Sequence, residues 1–217
     1  MHVLNEFFDK IYCINLDSRT DRWEECEKMF NHYGLEVERV SPKMPRVTKE
    51  GLMGTEYSLI LTNLEIVKKS KENNYSKILI LEDDVEFCDY VESYTGPSFE
   101  ERFNKSIVHL PKEWNLFYLG SGIDTGEKSL IDEELYSIRF AHTTHAVGIN
   151  STFFDECINR LENCQMPLDI TYVWIMKEIG NVYSFYPNLA SQRASHSDIQ
   201  GRYVDYGHLR NYLSLNK

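Results

Sequence analysis

Four apolar residues run without a break into three carboxylates: Ile78-Leu-Ile-Leu81 is followed at once by Glu82, Asp83 and Asp84. A short continuous apolar run bounded by polar residues reads as a buried strand. In an open α/β sheet, ligands bind beyond the carboxyl ends of such strands, so acids stacked on that end mark a site. Three adjacent acids repel one another unless a positive group sits among them. A divalent cation carrying a phosphate ligand of its own is the simplest such group. Alternation along the strand end puts Glu82 and Asp84 on one side, as candidate ligands for Mn²⁺ or Mg²⁺, which take oxygen ligands. Asp83 then points elsewhere, toward a ribose hydroxyl. The competing reading is a solvated acidic turn.

The flanking pattern supports an α/β fold. Lys10 to Leu16 reads as a strand, followed by a helix with Trp23, Cys26, Phe30 and Tyr33 at helical spacing and Gly34 at its end. Leu35 to Val40 is a second strand candidate. Ser41 to Gly54 is a loop, and Tyr57 to Asn73 is a helix leading into the Ile78 strand. This βαβαβ order predicts a mostly parallel sheet flanked by helices, with a Rossmann-like nucleotide-binding half over residues 1–120. The second half, 121–217, is more mixed. Trp114 to Leu119, Leu135 to Phe140, Thr143 to Ile149 and Val182 to Tyr186 read as strands. Helices are expected around Cys157 and Tyr172, and the tail after Pro187 is polar. With no repeat or linker, one domain is expected.

Composition narrows the partners. The 217 residues carry a formal net charge of -11, which argues against general binding to nucleic acid or to an anionic membrane surface. A small anionic substrate remains compatible if a metal ion supplies the missing charge. Five cysteines with no C-x-x-C pair read as buried free thiols in a reducing compartment. There is no basic leader and no window approaching a membrane span, so a cytoplasmic protein is expected.

Three further segments are candidates. Asn15-Leu-Asp-Ser-Arg-Thr-Asp-Arg22 lies where the first strand hands over to the first helix, a place suited to a phosphate or nucleotide. Equally, Asp17 or Ser18 is an N-cap there, with Arg19 and Arg22 as solvated helix residues. Asp169, after Pro167-Leu168, is either an N-cap or a general base, with Asp124 as the alternative base. His196, in a late polar loop, is a candidate to fold back over the acids as a metal ligand; His142 and His145 compete with it from a strand pattern. No G-x-x-x-x-G-K-[ST], G-x-G-x-x-G or G-x-S-x-G motif is present, so kinase, Rossmann dehydrogenase and α/β-hydrolase readings have no motif behind them.

Taken together, the segments resemble glycosyltransferase family 25, the lipooligosaccharide and collagen galactosyltransferases. The matching pieces are Ile11 to Arg22, Gly54 to Asn63, Ile78 to Val85, Trp114 to Gly120, His145 to Ile149, Pro167 to Asp169, and Pro187 to Gly201. They stand in family order and cover most of the chain. The resemblance implies a GT-A fold, a nucleotide-sugar donor such as a UDP-sugar, a divalent cation, a glycan or glycoprotein acceptor, and an inverting transfer. It makes Glu82-Asp83-Asp84 the counterpart of a D-x-D motif. It places the nucleobase at Asn15, Leu16 and Asp17, the donor phosphates at Arg19 or Arg22, and the base at Asp169. The family often reads Gly-x-x-Gly-Cys-x-x-Ser-His around the second helix. Here Tyr57-Ser58 and Thr62-Asn63 stand instead, so Asn63 would change a donor contact. Two other readings compete: an inactive relative that binds sugar nucleotides or glycans, and a strand-end phosphatase. The second would need Asp where Glu82 stands.

Overall fold

The computed structural model describes residues 2–46, 48–123 and 128–214. Asp124, the alternative base, lies outside them. The first half contains α1 (Val3–Phe7), β1 (Lys10–Ile14), α2 (Thr20–Tyr33), β2 (Val37–Val40), α3 (Gly54–Glu72), β3 (Lys77–Glu82), β4 (Val85–Phe87), α4 (Phe99–Ile107) and β5 (Leu116–Tyr118). Then come β6 (Gly122–Ile123), β7 (Lys128–Leu130), β8 (Leu135–Ile138), β9 (Ala141–His142), β10 (Ala146–Asn150), α5 (Phe154–Asn163), α6 (Leu168–Glu178) and β11 (Val182–Phe185). The tail adds β12 (Ala190–Gln192), β13 (Ser195–Ser197) and β14 (Arg202–Val204).

Eight strands form one sheet in the order β2-β1-β3-β10-β5-β11-β8-β7. The expected parallel unit is its first third, where β1 pairs parallel with both β2 and β3. Beyond it the sheet is mixed, because β10 runs antiparallel between β3 and β5, while β5 and β11 are again parallel.

Alternation along each strand splits the apolar side chains into two layers. Ile11, Cys13, Leu79, Leu81 and Phe117 pack with Met29, Phe30, Phe99 and Phe103 on the α1, α2 and α4 side. Tyr12, Ile14, Ile78, Ile80 and Tyr118 pack with Ile60, Val67, Cys157, Leu161 and Tyr172 on the α3, α5 and α6 side. A sheet covered on both faces explains why residues 78–81 of β3 are continuously apolar. All five cysteines are buried and free, as their apolar settings predict. Among the described residues, no helix is long and apolar enough to cross a membrane.

Two local backbone features fix α2 and the tail. Helix α2 closes at Gly34 in the left-handed conformation, φ 62°, whose N–H bonds back to the last turn. The tail docks beside β5: Leu119 O accepts from Leu189 N at 2.7 Å and Ala190 N at 3.1 Å, and β12 then pairs antiparallel with β4. Gly120 makes that close approach feasible, since a Cβ there would lie 1.9 Å from Ala190 O.

Candidate active site

The carboxyl ends of β1 and β3 open into a cleft of about 580 Å³. Its apolar lining comes from Ile14 at the end of β1 and Leu16 just after it, Pro42 and Met44 in the loop after β2, and Leu59 of α3. Its polar lining comes from Glu82, Asp83 and Asp84, from His142, Thr143 and Thr144 after β9, from Asp169 at the start of α6, and from Gln192, Ser197, Asp198, Tyr206 and His208 in the tail. Strand β10 separates β3 from β5 and from the β6–β9 ladder beside α6. The acid cluster and Asp169 therefore approach the cleft from different parts of the fold.

The three acids are held differently. Asp83 is buried and accepts on both oxygens, from Arg22 Nη1 at 2.6 Å and Asn15 Nδ2 at 2.7 Å. Glu82 accepts from Thr144 Oγ1 at 2.6 Å, and Asp84 from Gln192 Nε2 at 3.3 Å, with Arg22 Nη1 at 3.6 Å. Desolvation, with Asp84 next in effect, pushes the Glu82 carboxyl up to about 8. Burial likewise raises Asp84 and Asp83, against the opposing pull of Arg22. Such crowding of half-compensated carboxylates is typical of functional sites.

Among the described residues, no group of three or more His, Cys, Asp or Glu side chains is gathered as a metal centre. A different donor set is present. Gln192 Oε1 is buried without a hydrogen-bond partner, on the side chain that donates to Asp84. With Glu82 and Asp84 it offers an all-oxygen set of the kind Mg²⁺ and Mn²⁺ take. These residues fit a hard divalent cation.

The β1–α2 junction lies in the cleft wall, with its side chains largely committed to one another. Asn15, 1% exposed, donates to Asp83 and to Arg19 O, and accepts from Arg39 Nε at 2.8 Å. Leu16 lines the cleft, whereas Asp17 is an exposed side chain 3.5 Å from Arg39. Arg22 lines the cleft. Arg19 does not; it pairs with Asp21 at 2.9 Å and Asp198 at 2.6 Å. Asn63 donates to Leu59 O of its own helix and is not part of the lining.

His196 is exposed and its ring does not line the cleft. The reason is strand alternation in β13. Ser195 faces inward, accepting from Arg22 at 2.5 Å, and Ser197 lines the cleft, so the residue between them turns out. What His196 contributes is its carbonyl, which accepts from Arg22 at 3.0 Å and Arg19 at 3.1 Å.

Asp169 lines the cleft and starts α6, yet its Oδ1 accepts from Ile170 N at 2.8 Å in place of an N-cap bond. Its Oδ2 stands 3.8 Å from His142 Nδ1. Beside His142, Thr143 adopts φ 75°, and its buried Oγ1 has no partner. A β-branched residue in the left-handed region is strained, and such strain gathers at functional sites. His145 has a structural setting: it is fully buried, with Nε2 3.1 Å from Ala190 O. Gln192, Thr144, Tyr206 and His208 were not expected in the cleft. Their only sequence signal was the polar, aromatic tail and its neighbouring strand ends.

No family model matches the sequence, and no curated protein matches it. Among solved structures, the chain is similar to the crystal structure of a glycosyltransferase involved in the glycosylation of the major capsid of PBCV-1. That match has TM-score 0.40 and 12% identity, over 70% of this chain and 65% of the other. It is also similar to mannose-1-phosphate geranyltransferase from Thermus thermophilus, with TM-score 0.37 and 10% identity, over 80% of this chain and 58% of that one. The chain thus spans less than two thirds of either structure.

Proposed function

We propose that this chain transfers a sugar from a nucleotide-sugar donor, UDP-linked, to a hydroxyl of a glycan or glycoprotein acceptor, with inversion at the anomeric carbon. The observation that carries the reading is one cleft combining an apolar wall after β1, a crowded acid cluster after β3 and a carboxylate, Asp169, brought in by α6. An apolar wall suits a nucleobase, and the strand ends are where α/β sheets take nucleotides. In this reading Leu16 and the β1–α2 junction receive the base. Arg22, anchored by Asp83, brings positive charge toward the diphosphate, and Asp169 stands on the acceptor side, away from the leaving group, where the hydroxyl's proton is drawn off. A Mn²⁺ or Mg²⁺ ion held by Glu82, Asp84 and the Gln192 amide oxygen would screen the leaving diphosphate as a Lewis acid.

The test is a panel of UDP-, GDP- and CMP-sugars, each with and without Mn²⁺, read by thermal shift and by nucleotide release. The expected outcome is a UDP-sugar-specific rise in melting temperature together with slow UDP release. A panel with neither response for any donor would refute the reading.

A further inference from the structure

We infer that His142 is the group that takes the acceptor's proton, and that Asp169 is a positioning residue acting through it; the inference rests on the transfer reading above. Both side chains line the cleft. One carboxylate oxygen of Asp169 is occupied by the Ile170 N–H at 2.8 Å. The other faces His142 Nδ1 at 3.8 Å, a separation of the kind that tightens when substrate closes a site. Once that separation closes to a hydrogen bond, the carboxylate beside Nδ1 selects the tautomer with the proton on that nitrogen, which leaves Nε2 as the acceptor, the lone pair turned away from Asp169.

The ring is held from two further directions. Phe140 packs against it edge to face, with centroids 4.7 Å apart at 85°, and Lys177 Nζ lies 5.1 Å from the Phe140 ring on its way from α6. On the chain side, Thr143 holds φ 75° immediately after the histidine. Strain of this kind persists only where the surroundings over-determine the backbone, and here it sets the direction in which His142 leaves β9.

In the transfer step the acceptor O–H bond breaks and its proton goes to His142 Nε2. The hydroxyl oxygen forms the new bond to the anomeric carbon. The bond from that carbon to the diphosphate breaks, and its electron pair leaves on the diphosphate oxygen. The imidazolium, stabilised by Asp169, then returns its proton to water. A histidine base paired with an orienting carboxylate is a recurring way to activate a hydroxyl.

The experiment uses the whole chain with Mn²⁺ and UDP-galactose, UDP-glucose or UDP-N-acetylglucosamine, with water as the acceptor and UDP release as the readout. His142→Ala should keep the UDP-induced shift in melting temperature and the donor KM, while kcat falls roughly a hundredfold, the scale of a lost general base. Because His142 is exposed to the cleft, added imidazole should restore about tenfold or more of that loss in His142→Ala. It should restore nothing in His142→Gln, whose side chain fills the space. A kcat for His142→Ala within about threefold of the wild type overturns the assignment. A lost kcat that imidazole leaves unchanged also overturns it, and returns the proton to Asp169 itself. If the unsubstituted chain gives neither UDP release nor a thermal shift, the transfer reading has failed, and this inference with it.

Discussion

Asp83 is tied on both oxygens at 2.6 and 2.7 Å, whereas Glu82 and Asp84 each accept a hydrogen bond from one neutral side chain, with Arg22 Nη1 a longer 3.6 Å from Asp84. In the proposed reading, that asymmetry divides three adjacent carboxylates into one that builds the site and two left to the ligand. Asp83→Asn leaves Arg22 without its 2.6 Å partner, at a pair whose side chains are each 10% exposed. Breaking one side of so buried a pair costs about 3–5 kcal/mol, so this variant should lose many degrees of melting temperature. Asp84→Asn keeps size and polarity, so it should melt near the wild type while losing the Mn²⁺-dependent part of its stabilisation by UDP. Equal melting temperatures for the two variants would contradict the division. His145 adds a pH dependence from elsewhere. Burial holds its imidazole down at about 4, from 6.5, so between those values the unfolded chain binds the extra proton. Its contribution to stability is complete above the unfolded value and is lost as pH falls toward the folded one, by at most about 3 kcal/mol. Urea midpoints at about pH 5 and about pH 7 should therefore differ less in His145→Gln than in the wild type.

Helix α4 shows the same physics at the level of an element. Its start is a reciprocal cap: Ser98 Oγ accepts from Glu101 N at 3.2 Å, and Glu101 Oε2 accepts from Ser98 N at 2.8 Å. Ser98→Ala should cost about 1 kcal/mol, read as a fall of roughly 2–4 °C in melting temperature, with the cleft unaffected. The Ser-x-x-Glu pattern stood in the sequence, but the segment was not expected to be helical. Its buried face includes Arg102, which hides its charge by donating to Glu134, Pro187 O and Asn188 O, so the apolar periodicity is broken. The elements that were legible are those whose partners are uniform. Strands β1, β3, β5 and β10 lie inside a two-faced sheet and need only apolar residues, and α2 and α3 carry clear stripes. Strands β12, β13 and β14 are three residues each, too short for a periodic pattern, and β12 pairs with β4 across a long sequence distance. The candidate site divides in the same way. The acids were visible because they end a buried strand. The inward serines of β13 and the outward His196 follow from a pairing with β14 that the residues themselves do not announce.

At the scale of the whole molecule, the cleft depends on one narrow crossing, where the tail passes Gly120. A methyl group there would meet Ala190 O at 1.9 Å and Asn188 Cβ at 2.9 Å. Gly120→Ala must therefore push Leu189 and Ala190 off Leu119 O. Overpacking of this kind costs about 1–3 kcal/mol, but the larger effect should be on the ligand, since Gln192, Asp198, Tyr206 and His208 all follow that crossing. The expected result is a chain that still folds, with native-like circular dichroism, and shows little or no UDP-induced thermal shift. An unchanged shift would mean that the tail does not shape the cleft. The same crossing has a consequence for the order of events during synthesis. Asp84 and its partner Gln192 are 108 residues apart, and Arg22 and Ser195 are 173 apart. At a translation rate of about 5–20 residues per second, the acid cluster leaves the ribosome roughly 5–20 s before the tail that covers it. Over that interval the acid cluster is without Gln192 and Ser195, so the candidate site is completed only once residues 192–208 have followed it out.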